Sequence, residues 1–175
     1  LEVIREEMKR TEDNPARTAG LKLFETAYDH HPYRRPVIGT EESVGSLTRE
    51  DVYGFYQRHY VPDNAALVVT GDFEEEEAKR QIEEQFGDWT PSDDGYTPPE
   101  RTAEPEQDEF RGWTDARDLQ QSHLRIGFHI PDALDEDIPA LDLLGAAMGY
   151  GDASHLVQTL QRDKQWVRSI SAKSY

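Results

Sequence analysis

Cysteine is absent from the 175 residues, so neither a disulfide nor a thiolate metal site is available to this chain. That absence does not choose a compartment; a bacterial periplasm or cytoplasm is the expectation. Long apolar runs are missing too: no stretch approaches the roughly 18 apolar residues of a membrane span. The first residues, LEVIREEMKR, hold neither an apolar signal core nor an initiator methionine. They read as the interior of a helix, and the chain as a piece cut from a longer one. Positive charge is scarce, with 19 basic residues (14 Arg and 5 Lys) against 36 acidic ones, for a formal charge of −17. Such a surface repels phosphates and anionic lipid heads, which argues against nucleic acid and membrane surfaces as partners.

What is present is a hydrophobic content of 35%, enough for the core of a globular unit. Two readings of the acidic excess compete: attraction of a basic substrate, or a well-solvated surface suited to high salt. The even spread of the charges along the chain favours the second.

Hydrophobic spacing divides the chain into elements. Ile4, Met8 and Thr11 fall at helical intervals within residues 1–13, and Asn14-Pro15 supplies a cap and a first-turn proline for a second helix over 16–28. Leu21, Leu23, Phe24 and Ala27 form that helix's apolar stripe. Residues 29–40, with two prolines and a glycine, read as an ordered loop, and a short helical turn follows at 41–44. Thr48 and Asp51 resemble a capping box ahead of Val52, Phe55, Tyr56 and Tyr60, in a helix ending by Pro62. The run AALVVTGD, 65–72, reads as a buried strand, with Asp72 capping an acidic helix over 74–86 that Gly87 stops.

Residues 88–118 are rich in Pro, Asp, Glu and Thr and read as a connector, of which EFRGWTD (109–115) is expected as an edge strand. Beyond it, SHLRIGFHI (122–130) alternates Leu124, Ile126, Phe128 and Ile130 with His123, Arg125 and His129, the pattern of a half-buried strand. A helix over 135–148, a Gly149-Tyr150-Gly151 turn, a helix over 153–162 and a strand over 167–173 complete the reading. The glycine turn is too short for a phosphate loop and has no lysine. Helices and strands in this order predict an α+β architecture of two α/β layers on either side of the acidic connector.

Four stretches together resemble the insulinase, pitrilysin and mitochondrial processing peptidase family of zinc metallopeptidases. These are VIREEMKRTEDNP (3–15), HPYRRPVIGTEESVGSLTREDVYGFYQRHYVPDNAALVVTGDF (31–73), SHLRIGFHI (122–130) and GYGDASHLVQTLQRDKQWVRSISA (149–172). The second is the most specific, since its loop, capped helix, Tyr-x-Pro-x-Asn and strand ending in Gly-Asp occur in the family's order. The resemblance implies a two-layer α/β sandwich of the mitochondrial processing peptidase type, an α+β fold. The chain would hold part of one repeat (1–87), the connector (88–118) and the start of the next (119–175).

It also implies a zinc site. In this family an inverted His-x-x-Glu-His helix gives two histidine ligands and the general base, and a glutamate on a later helix gives the third ligand. The matching position is Glu7, with Glu6 as the register alternative. Read from the residues alone, the pair is two exposed helix carboxylates.

No His-x-x-Glu-His occurs among the six histidines His30, His31, His59, His123, His129 and His155. The general base is expected upstream of Leu1, and the piece is expected to be inactive alone. His30-His31 precedes Pro32 in a loop with no third ligand nearby and reads as a loop feature. The Arg/Tyr pair with which many members hold the reacting carbonyl is replaced by Gln161 and Arg168. The resemblance therefore implies the catalytic-type half of a clamshell, with zinc as cofactor and an unfolded or extended peptide as substrate. A second half, in the same chain or a partner subunit, would complete it. The rival from another class is a non-catalytic structural or peptide-binding homologue.

Overall fold

In the computed structural model, residues 1–91 and 95–175 are described; within the expected connector, residues 92–94 lie outside them. The chain divides into two compact units, Leu1–Gly127 and Phe128–Tyr175.

The first unit begins with α1 (Glu2–Glu12) and α2 (Pro15–Ala27). Met8, on the Ile4-Met8-Thr11 stripe, is buried. Asn14 ends the short link between the helices and caps α2 by accepting the Arg17 N–H at 3.1 Å, while Pro15 occupies the first helical position. The Thr18 hydroxyl reaches back to the Thr11 and Glu12 carbonyls, both at 3.3 Å, so α2 also satisfies the open end of α1.

A 3-10 turn at Pro32–Arg34 leads through Gly39, whose φ of +82° suits glycine, into α3 (Glu41–Ser46). α4 (Arg49–His59) opens with the expected capping box: the Asp51 N–H donates to the Thr48 hydroxyl at 3.1 Å and the Thr48 N–H to the Asp51 carboxylate at 2.9 Å. A second box, Thr40 with Ser43, starts α3 and was not anticipated. After a 3-10 turn at Pro62–Asn64 the chain runs extended to α5 (Glu75–Phe86). The N-cap of α5 is Glu74, without a side-chain cap bond, and not Asp72. Val44 and Val61 join Met8 as the buried apolar residues of this unit.

The second unit holds α6 (Ile138–Gly149) and a π-helical segment, Val157–Asp163, where residues 153–162 were expected to be α-helical. In that wider turn the Lys164 N–H donates to the Thr159 carbonyl at 3.0 Å, and Gln165 leaves it with a φ of +53°. Val157 is buried beside the hydroxyl-bonded Ser154, which donates to the Gly151 carbonyl at 2.8 Å. The backbone of 171–174 crosses α6 at Gly145 and Gly149, one turn apart on one face of the helix.

The expected α+β sandwich is overturned. Among the described residues there is no strand and no sheet; the regular structure is helical. Residues 65–72, 109–115, 122–130 and 167–173 are non-helical and do not pair into ladders. The apolar side chains that were to face a core stand in solvent instead: Val68 is 81% exposed, Leu124 81% and Phe128 86%. Alternation marks which face of an extended segment gains from burial, but a neighbouring strand must supply the ladder and the cover.

Candidate functional site

Glu7 lies in the middle turn of α1, and its carboxylate is exposed, as is that of Glu6. The helical period places Glu2, Val3, Glu6, Glu7 and Arg10 along one flank of α1, and these line a shallow depression together with Arg17 from α2. Burial of Met8 orients the helix, and Asn14 and Thr18 fix the angle at which α2 meets it. The depression is thus acidic on α1 and guarded by two guanidinium groups.

The residues present do not complete a zinc site. Among the described residues no three His, Asp or Glu side chains are grouped so as to hold a metal ion. Glu7 and Glu6 would offer oxygen donors only, and a catalytic zinc centre takes three protein ligands with an open fourth position.

The histidine pair has a different local role. The His31 ring accepts the Tyr33 N–H at its Nδ1, 3.2 Å away, and so caps the 3-10 turn. Its ring stands edge-on to Tyr33, with centroids 4.4 Å apart. The backbone N–H groups of Asp29, His30 and His31 all point to the carboxylate of Glu104, at 2.6, 2.8 and 2.6 Å. Burial pushes the Glu104 carboxyl up, but the N–H donors of Asp29, His31 and His30, with the nearby His30 ring, outweigh it and hold the group at about 2. Sequence reasoning missed Glu104, and nothing local in EPEQDEF marked it out.

His123 lies in an extended part of the first unit and His129 in the second. Gln161 lies within the π-helical segment, half-buried, and Arg168 is exposed beyond it.

The family model described as the Peptidase M16 inactive domain matches residues 46–175. The chain belongs to the M16 peptidase family. Among relatives of this M16 chain, an uncharacterized zinc protease of Mycobacterium leprae is 28% identical over 169 residues, covering 97% of this chain and 38% of that protein. The zinc protease PqqE of Helicobacter pylori is 28% identical over 166 residues, covering 94% of this chain and 37% of that protein. Among solved structures, that of a protease from Helicobacter pylori matches with a TM-score of 0.80 and 26% identity, over 99% of this chain and 44% of that one. The M16 chain therefore spans about two fifths of the length of the relatives it matches. Glu7 falls before the matched residues 46–175, so the description of that region as inactive does not speak to α1. No helix among the described residues is long and apolar enough to cross a membrane.

Proposed function

We propose that this M16 chain is part of a zinc-dependent metalloendopeptidase and supplies one metal ligand, Glu7, while the histidines and general base come from outside residues 1–175. The reaction would be hydrolysis of peptide bonds in an unfolded or extended protein. The relatives' description as zinc proteases supports the class of chemistry. The observation that carries the assignment of Glu7 is its exposed position on α1, at the acidic depression with Glu2 and Glu6. In this reading residues 1–87 finish one domain of the parent, 88–118 connect, and 119–175 open the next; the chain alone is inactive. A second half, in the same parent or in a partner subunit, supplies the carbonyl-holding groups absent at Gln161 and Arg168.

The test is elemental analysis of the full-length parent and its Glu7→Gln variant, together with hydrolysis of an unfolded peptide. One zinc per parent chain, with metal and activity both lost in E7Q, is the expected result. Zinc and activity unchanged in E7Q would return Glu7 to the role of a surface carboxylate. The match to a domain described as inactive favours a second reading, a non-catalytic peptide-binding homologue, and a metal-free, inactive parent that still binds peptide would establish it.

A further inference from the structure

The connector does not hang free. From Tyr96 to Arg117 it is tied to earlier residues of the same unit at four separated points. The Tyr96 N–H donates to the Asp63 carboxylate at 2.5 Å, and its hydroxyl lies 3.3 Å from the His59 Nδ1 at the end of α4. Glu104 accepts the three consecutive N–H groups of residues 29–31. Arg111 donates to the Ala27 carbonyl at 3.3 Å and to the Asp29 carboxylate at 2.7 Å. Arg117 donates to the Glu12 carbonyl at 3.3 Å.

These points share a logic. A helix ends with carbonyls that have no partner within the helix, and its C-terminus carries partial negative charge. The last turn of α2 holds no basic residue, and Arg111 brings a guanidinium to its final carbonyl from 84 positions away. Arg117 does the same for the final carbonyl of α1. Immediately after α2 the backbone presents its donors instead. Successive N–H groups converging on one point make a receptor for an anion, and a carboxylate is the anion found in it.

We infer that residues 29–31 form a carboxylate-binding site which the chain fills with its own Glu104, making residues 96–117 a strap fastened across the ends of α1, α2 and α4. Glu104 is its central fastening, because it alone satisfies three donors at once, 73 to 75 residues distant in sequence. Without it, Tyr96 and Arg111 hold the ends of a loop that has no other fastening among the contacts above. This inference concerns the connector and does not depend on Glu7 being a zinc ligand.

Trypsin reads the strap directly, since Arg101 is exposed between Tyr96 and Glu104. In the 175-residue chain, Glu104→Ala should be cut at Arg101 about tenfold faster than the native protein, because the loop then opens locally. Formate, a carboxylate small enough to enter the emptied site, should slow E104A cleavage toward the native rate while sodium chloride of equal ionic strength does not. The native rate should be unmoved by formate. Equal cleavage of native and E104A would overturn the inference, as would formate acting on both proteins alike or on neither. Loss of helical circular dichroism in E104A would also overturn it, since a strap released on its own leaves α1 to α6 in place.

Discussion

A carboxylate held at about 2 against an ordinary value of 4.5 binds its proton more weakly in the folded chain than in the unfolded one. Glu104 therefore contributes stability that is fully present above about 4.5 and is lost as the pH falls toward about 2. Other carboxylates titrate over the same range, so the native curve alone does not isolate the group. The difference in urea midpoint between native protein and Glu104→Gln does. It should be largest above pH 5 and close progressively through the acid range; a difference constant with pH would mean that the N–H donors do not hold the ionised form. This residue was illegible in the sequence for a plain reason. Its partners are backbone N–H groups, which every non-proline residue has, and they come from a segment more than 70 positions away. His30 and His31 were conspicuous as side chains, yet the hydrogen bonds they give Glu104 come from the main chain, the His30 ring adding only its nearby charge.

At the level of elements, what could be read was what is local. A helix is specified by residues three and four apart and by its caps, so α1, α2, α4 and α5 emerged close to their expected bounds. The Thr48 box illustrates the energetics. Thr48→Ala removes the hydroxyl that accepts the Asp51 N–H, and should cost about 1 kcal/mol in chemical denaturation. The same hydroxyl donates to Asp51 and holds that carboxyl below its ordinary value, so the Asp51 titration followed by NMR should move up in T48A. Strands were over-read because pairing is a property of two segments, and neither alternation at 122–130 nor the apolar run at 65–70 names a partner.

The crossing of 171–174 over α6 gives a sharper test of packing. A Cβ on Gly149 would meet the Ala172 nitrogen and lie 2.7 Å from the Ser171 carbonyl carbon, whereas one on Gly20 in α2 meets nothing within 4 Å. Gly149→Ala should lose roughly 1–3 kcal/mol by overpacking. Gly20→Ala should gain up to about 1 kcal/mol from helix propensity and reduced unfolded-state freedom. Equal shifts in the two variants would mean that 171–174 does not press on α6 in solution.

Over the whole molecule the dominating quantity is the formal charge of −17, and it opposes the local ion pairs. On α5, Lys79 pairs with Glu75 at 2.7 Å and Arg80 with Glu77 and Glu84 at 2.7 and 3.1 Å. These side chains are exposed, so such pairs contribute little to stability, and salt weakens them further. The excess of acidic over basic groups, 36 against 19, instead repels itself in the compact state, and salt relieves that repulsion once the screening length falls to about 10 Å near 0.1 M. With exposed pairs that salt weakens only modestly, and an acidic excess carried by α1, α5, α6 and the connector while α2 is net basic and α4 neutral, relief should win, and the melting temperature should rise from low to molar salt. The sign also separates the two readings of the charge. A surface whose acids serve mainly to attract a basic substrate would be arranged in one field, and substituting a few of its members would flatten the salt response. Here the response should persist when Glu74, Glu75 and Glu76 are replaced together by Gln, because the remaining excess is distributed. A melting temperature that stays flat or falls with salt would show that the paired charges outweigh the unpaired ones.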